Sequence, residues 1–570
     1  MKIKFIKMRN KGALMLFLLV FLGYSGSPLQ AQRKARKKTE LIEVKEAKEI
    51  AVSPKLVVGI VVDQMRYDYL TRFWGHYGEG GFKRMVNDGF NFKNNHFNYA
   101  PTYTGPGHAS VYTGTTPAIH GVIGNDWYDK YDDKSVYCAS DDSYSSVGTA
   151  SSAGEMSPHR MLSTTMTDQL RLHTQMQGKV IAVAIKDRGA VLPGGHSANA
   201  AYWFKGGNEG NWITSTYYMD ELPKWVKDFN DKRSVDTYKR TWSTLKDINT
   251  YVESGTDNNN YEGLWKGKTT ATFPYDLEAL WDDNDQYSML ASTPFGNNLT
   301  TDFALAALEN ESLGEDNVTD FLAISYSSPD YVGHKWGVNS KEVQDTYIRL
   351  DQDLERLFKS LDKKVGAGEY TVFLTADHAA VHVPAYLKDQ KIPANYIDQA
   401  DIKSKLNDYL KFTFGSTEII KNISNDQIFL DHKVVKNLEM DLADLQNEIA
   451  QELMLYEGVY KVYTANQMWQ NNYTKGISNI LQNGYNQKRS GDIIIVYNPA
   501  SISYSSTGST HGSPWIYDTH SPLLFFGKGI KKGSTTNRSE IPDIAPTISA
   551  LLGMAFPSGT TGKPLVEVLE

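Results

Sequence analysis

The sequence predicts an α/β fold with a largely parallel central sheet flanked by helices. Two observations carry this. The runs Leu56–Val62, Val180–Ile185, Phe321–Ser325, Tyr370–Thr375, Asp492–Tyr497 and Pro522–Phe526 are short, apolar and rich in β-branched or aromatic residues. Unbroken runs of this length mark strands buried on both faces. Between them lie helical stretches, including Asp302–Glu309 and the amphipathic Lys341–Leu361, and strands alternating with helices build parallel sheets.

From the N-terminus, Lys2, Lys4, Lys7, Arg9 and Lys11 precede the apolar run Ala13–Leu22, and small and polar residues follow up to Ala31. That is the layout of a secretory signal peptide covering residues 1–31. The apolar run is too short to span a bilayer comfortably. No second long apolar segment follows, so an exported, periplasmic or secreted protein without a membrane span is expected. Removing those five basic residues leaves 54 basic against 66 acidic ones and takes the net charge from −7 to −12. Such a chain is not built for a nucleic-acid partner. Residues 32–53 read as a charged linker and residues 54–570 as one domain. Its strand–helix rhythm breaks near 200–300, rich in Trp, Tyr, Asn, Asp and Gly, and near 385–490, which holds a helix around Val434–Leu455. Both stretches read as insertions. The single cysteine, Cys138, excludes an internal disulfide and a thiolate metal site.

The chemistry collects at strand ends. Leu56–Val62 runs into Asp63, Phe321–Ser325 leads to Asp330 and His334, and Tyr370–Thr375 leads to Asp377 and His378. Open α/β sheets bind ligands at the carboxyl ends of their strands. Carboxylates gathered at one edge repel each other without a cation between them, and Asp with His suits zinc. Two such clusters imply two metals. Thr104 lies in Tyr99-Ala-Pro-Thr-Tyr-Thr-Gly-Pro-Gly-His-Ala-Ser110, ahead of a helix expected to begin near His108. There a hydroxyl faces free backbone N–H groups and the positive helix end, a favourable place for phosphate.

Asp63, Thr104-Gly-Pro-Gly-His108, Asp330-x-x-x-His334, Asp377-His378 and Thr510-His511-Gly512, in that order, resemble the alkaline phosphatase superfamily. The resemblance covers residues 55–570 and is strongest to single-chain flavobacterial-type phosphatases with a Thr nucleophile. It implies an alkaline phosphatase-like fold in which the insertions cap the active site. It also implies two Zn2+, one held by Asp330, His334 and His511, the other by Asp63, Asp377, His378 and Thr104. His511 is preferred to His520 as the late ligand because it sits in a Gly/Ser/Thr-rich loop. His108 and His382 read as supporting or packing residues, and Ile541–Leu552 as the family's closing helix.

The ester class turns on cationic donors. On spacing alone Lys186 and Arg188 read as a solvated surface pair. In the phosphatases this chain resembles, Asn, Lys and Arg at the places of Asn125, Lys186 and Arg188 contact the transferred phosphoryl group, whose charge favours such donors. A sulfatase would need Cys or Ser where Thr104 stands. The expectation is therefore hydrolysis of small-molecule phosphate monoesters through a phosphothreonine on Thr104. The alternative is a phosphodiesterase or nucleotide pyrophosphatase on the same bimetallic core. A binding protein without turnover is disfavoured, because every expected ligand type is present.

Overall fold

The computed structural model describes residues 53–570; the expected signal peptide and all but the last residue of the expected linker lie outside them. The strand β1 (Leu56–Val62) occupies the middle of a ten-stranded sheet. Its neighbours are β4 (Asp320–Tyr326) and β5 (Tyr370–Thr375), both parallel to it. β2 (Val180–Ala184) and β3 (Ala200–Lys205) continue the parallel set beyond β4. β6 (Leu523–Gly527) then runs antiparallel against β5. Short strands complete both edges, Phe90–Phe92 and Gly533–Thr535 on one side, Asn211–Ser215 and Ser146–Val147 on the other.

Every residue of β1 is buried, because its two faces feed two cores. Val58, Ile60 and Val62 join one apolar cluster, while Val57 and Val61 join the other. A buried aliphatic side chain of this size contributes roughly 1.5–3 kcal/mol, which explains why no polar residue interrupts the run. Helices cover both faces. α1 (Thr104–Thr113) packs Ala109, Val111 and Tyr112 into the second cluster. Gly59 lets Tyr112 lie against the sheet, since a Cβ there would crowd the Tyr112 hydroxyl and the Phe373 ring. α3 (Pro294–Asn310) and α5 (Lys341–Leu361) cover the first cluster. In α5, Val343, Tyr347, Leu350, Leu354, Leu357 and Leu361 recur at helical spacing, and Ser340 caps the start by accepting the Val343 N–H at 3.1 Å.

Two expectations need correction. Ile493–Tyr497 does not join the central sheet; it pairs antiparallel with Val459–Thr464 and Gln427–Leu430 in a separate four-stranded sheet with Ile420–Ser424. The run is apolar throughout because Ile493 and Ile495 face one small core while Ile494 and Val496 face another. Burial on both faces identifies a covered strand but not its sheet. The helix around Val434–Leu455 is two helices, His432–Asn437 and Leu442–Leu453, the second capped by Asp441 through the Ala443 and Asp444 N–H groups. Of the stretch near 200–300, the first residues are sheet strands, β3 and Asn211–Ser215, and the last enter α3. Among the described residues no helix is long and apolar enough to cross a membrane.

Candidate active site

The three strand-end aspartates converge because β5, β1 and β4 are adjacent and in step. Val61 pairs with both Thr375 and Ser325, so the chains leave the sheet at one level. Asp63 follows β1 directly, its N–H donating to the Tyr326 carbonyl at 3.0 Å. After β4 the chain enters α4 (Ser328–Trp336), which carries Asp330 in its first turn and His334 one turn later on the same face. After β5 come Asp377 and His378, both fully buried.

These residues form two groups whose donor atoms lie within 4.8 Å of one another: Asp330, His334 and His511, and Asp63, Asp377 and His378. In the first, Asp330 Oδ1 lies 3.2 Å from His334 Nε2 and 3.6 Å from His511 Nε2. In the second, His378 Nε2 lies 3.4 Å from Asp63 Oδ1 and 3.6 Å from Asp377 Oδ2. The His378 and His511 rings stack at 3.4 Å between the groups. All three imidazoles are oriented alike. Nδ1 of His334, His511 and His378 faces the carbonyls of Ser509, Thr102 and Ala379 at 2.8, 2.6 and 3.0 Å. That contact fixes the proton on Nδ1 and leaves Nε2 as the lone-pair donor. Burial holds His511 down to about 3 and His378 well below the usual range, so both imidazoles are neutral at working pH.

A cation fits this donor set. Asp63 Oδ1, Asp377 Oδ2 and His378 Nε2 are buried without a hydrogen-bond partner, an arrangement that costs on the order of 1–3 kcal/mol per atom unless something positive lies between them. Burial, aggravated by the neighbouring carboxylates, raises Asp63 and Asp377 above the carboxylate range. Burial pushes Asp330 the same way, but His334, Lys186 and His511 together outweigh it and hold Asp330 well below that range.

Thr104 is buried and is the first residue of α1, not a residue ahead of it: the helix begins four residues before His108. His108 is buried beside the second group, its Nδ1 3.4 Å from Asp377 Oδ2. Its Nδ1 meets the Thr104 carbonyl at 2.9 Å and its Nε2 the Ser325 hydroxyl at 2.8 Å, so it braces the helix start against β4. His382 bonds Asn339 at 3.0 Å, and His520 stacks on Tyr67 and His96. Neither belongs to either donor group.

Asn125 accepts the Gly105 N–H at 2.7 Å through Oδ1, which leaves its NH2 free beside Thr104. Lys186, only 5% exposed, is no surface residue. Its ammonium donates to Asp63 Oδ2 at 2.6 Å and Asp330 Oδ2 at 2.5 Å, one carboxylate from each donor group. Arg188, in the first turn of α2 (Asp187–Gly194), donates to the Tyr137 hydroxyl at 3.1 Å, which in turn donates to Asp187. Two contributors had no signal in the sequence. Gln64, at a positive φ of 65°, gives its N–H to Asp377 at 3.1 Å and its amide to Asp330 at 2.6 Å. Tyr137 reaches the site on a hairpin strand paired with Asp126–Asp129.

The model of the type I phosphodiesterase / nucleotide pyrophosphatase family matches residues 57–523. The chain belongs to that family. It is an enzyme of the alkaline phosphatase superfamily and has the alkaline phosphatase-like fold. It is 47% identical to alkaline phosphatase PafA of Elizabethkingia meningoseptica, over 90% of this chain and 94% of the relative. A crystal structure of PafA superposes with a TM-score of 0.88, covering 91% of this chain and 99% of that one. The chain is 46% identical to a protein of Myroides odoratus named calcium-transporting ATPase, over 92% and 96% of the two chains. It is 44% identical to alkaline phosphatase PhoV of Synechococcus elongatus, over 94% and 96%.

Proposed function

We propose that this member of the family hydrolyses phosphate monoesters with two zinc ions, through a phosphothreonine formed on Thr104. The observation that carries the reading is the pair of adjacent Asp/His donor groups with orphaned buried atoms, set beside a buried Thr at a helix start. Asp330, His334 and His511 would hold one zinc, and Asp63, Asp377, His378 and the Thr104 oxygen the other. Bound there, zinc supplies Lewis acidity to the attacking and leaving oxygens. The chain's own residues do the rest. Thr104 attacks phosphorus, and the α1 amide dipoles favour the phosphoryl oxygens. Asn125 offers an amide donor, while Arg188 and Lys186 compensate phosphoryl charge. Gln64 and Lys186 hold the carboxylates of both groups in one geometry. The ester oxygen departs on the Asp330–His334–His511 side, and water then releases phosphate from Thr104.

The family model's own description supports the runner-up, diester or pyrophosphate hydrolysis. The cationic pair at Lys186 and Arg188 favours the monoester, as do the alkaline phosphatase names of two relatives. Ion transport, which the Myroides relative's name suggests, has no support in the site described. We place the enzyme outside the cytoplasm, with residues 1–31 removed, 54–570 as the catalytic domain, and the segments near 200–300 and 385–490 over the site. Small-molecule phosphate monoesters are its substrates.

Metal analysis of purified protein, paired with hydrolysis of an aryl phosphate and a methyl aryl diester, tests the reading. Two zinc per chain, monoester preference and loss of activity on chelation are expected. Thr104→Ala should abolish turnover yet keep both metals, since six protein ligands remain. Full activity after exhaustive chelation would sink the two-metal reading.

A further inference from the structure

A cavity of about 240 Å³ shares its wall with the site through His511 and Tyr103, whose rings meet edge-on at 5.7 Å. Its other walls bring together two distant segments: the Asn425-Asp426 turn and Asp518. The turn joins the strands Ile420–Ser424 and Gln427–Leu430 with both residues at positive φ, 52° and 56°. It docks on the site: Asn425 donates its amide to the Asp126 carbonyl at 2.6 Å, next to Asn125. The Asp426 carbonyl accepts the Ile495 N–H at 2.8 Å.

The cavity lining is acidic, and among the described residues no Lys or Arg lines it. Asp518 is 1% exposed; Ser513 donates twice to Oδ2, while Oδ1 has no partner. Arg66, whose charge acts on Asp518, directs Nε to Asp68 and Nη1 to the Ala380 carbonyl. Among the described residues, Asp426 has one side-chain donor, Gln399 at 3.1 Å. Burial pushes Asp426 up to about 6 and Asp518 up to about 7, so both are ionised at alkaline pH. A buried carboxylate oxygen lacking a donor, on the wall of a cavity lined by a second carboxylate and by no Lys or Arg, calls for a positively charged ligand.

We infer that this cavity is the leaving-group subsite and that it selects phosphate monoesters of short amino alcohols, the ammonium lying between Asp426 and Asp518. The inference rests on the two-metal reading above, which puts the departing oxygen on the His511 side. Specificity then comes from a turn in the segment near 385–490 together with Asp518, not from the central sheet.

The probes are O-phosphoethanolamine and n-propyl phosphate, which differ in the ammonium and little in shape. Calorimetric titration of the zinc-loaded Thr104→Ala chain measures binding without turnover. The ammonium ester should bind at least about tenfold tighter, the scale of one charge-assisted contact. Asp426→Asn in the same background should bring the ratio close to one while leaving n-propyl phosphate affinity within about twofold of its parent value. Asn tolerates the positive φ there, so the turn survives. Equal affinities for the two probes, or a ratio unmoved by both Asp426→Asn and Asp518→Asn, would overturn the inference. A wild type inactive on aryl phosphate would instead remove the monoesterase reading, and the titration would still decide whether the cavity reads the ammonium.

Discussion

Replacing Arg188 by Ala removes a guanidinium whose only described partner is a neutral hydroxyl, that of Tyr137. The Asp187 carboxylate, which accepts from that hydroxyl, also acts on the guanidinium, but no carboxylate bonds it directly, so its charge can act on substrate. Losing one charge-assisted contact costs roughly 1.5–3 kcal/mol, or about ten- to 150-fold in kcat/KM for a dianionic monoester. A diester presents one negative charge instead of two. The Coulomb part halves, so about three- to twelvefold is expected there. Lys186→Ala should behave differently. Its ammonium bridges Asp63 and Asp330, so removal unscreens two buried carboxylates and should damage both reactions and metal retention. The assay is kcat/KM for an aryl phosphate and its methyl ester in both variants, with zinc content measured alongside. Equal losses on the two substrates in Arg188→Ala would refute the reasoning, because the residue would then not sense phosphoryl charge.

Two further outcomes follow from other parts of the structure. A Cβ at Gly107 would overlap the Asp377 carbonyl oxygen, so Gly107→Ala must move α1 away from the Asp377–His378 segment. At least a tenfold fall in kcat/KM is expected, about 1.4 kcal/mol of misplacement, and wild-type rates would show that the contact is irrelevant. Glu262 and Glu342 are pushed up by burial, and Glu342's charge raises Glu262 further. The folded state thus keeps protons that the unfolded chain releases above the ordinary carboxylate range. Stability should fall as pH rises from that range toward the elevated folded values. Glu342→Gln should flatten the fall in Tm between neutral and alkaline pH, and an unchanged slope would count against it.

The central sheet and the grouping of the three aspartates were legible because buried parallel strands leave long apolar runs and the aspartates follow their ends. Asp63 and Asp377 need no tertiary argument beyond that. What the sequence hid is of two kinds. Ile493–Tyr497 carries the same apolar signature as β1, but the signature records only that both faces are covered, here by the small cores of a second sheet. Gln64 and Tyr137 belong to the site through a positive φ and a hairpin strand, and neither has a composition cue. Lys186 was found for its charge but misjudged in place on spacing alone. Its partners lie 123 and 144 residues away, and only the β2–β4–β1 order brings them together.

That placement also bears on the choice of substrate. In the proposed complex three carboxylates and the Thr104 alkoxide carry four negative charges, which two divalent ions balance. Imidazoles that bind a metal do so in the uncharged form and add nothing. Lys186 and Arg188 then leave an excess of positive charge, which Asp187 offsets in part at Arg188 through Tyr137, and an uncompensated charge is costly. A phosphate monoester dianion cancels more of that excess than a diester does. A third metal is unnecessary in this balance, because the Lys186 ammonium already bridges Asp63 and Asp330. The same count accounts for the acidic cavity next to His511. An ammonium on the leaving group is poorly placed beside the metals and cations of the reaction centre, and Asp426 and Asp518 offset that repulsion on the side where the group departs.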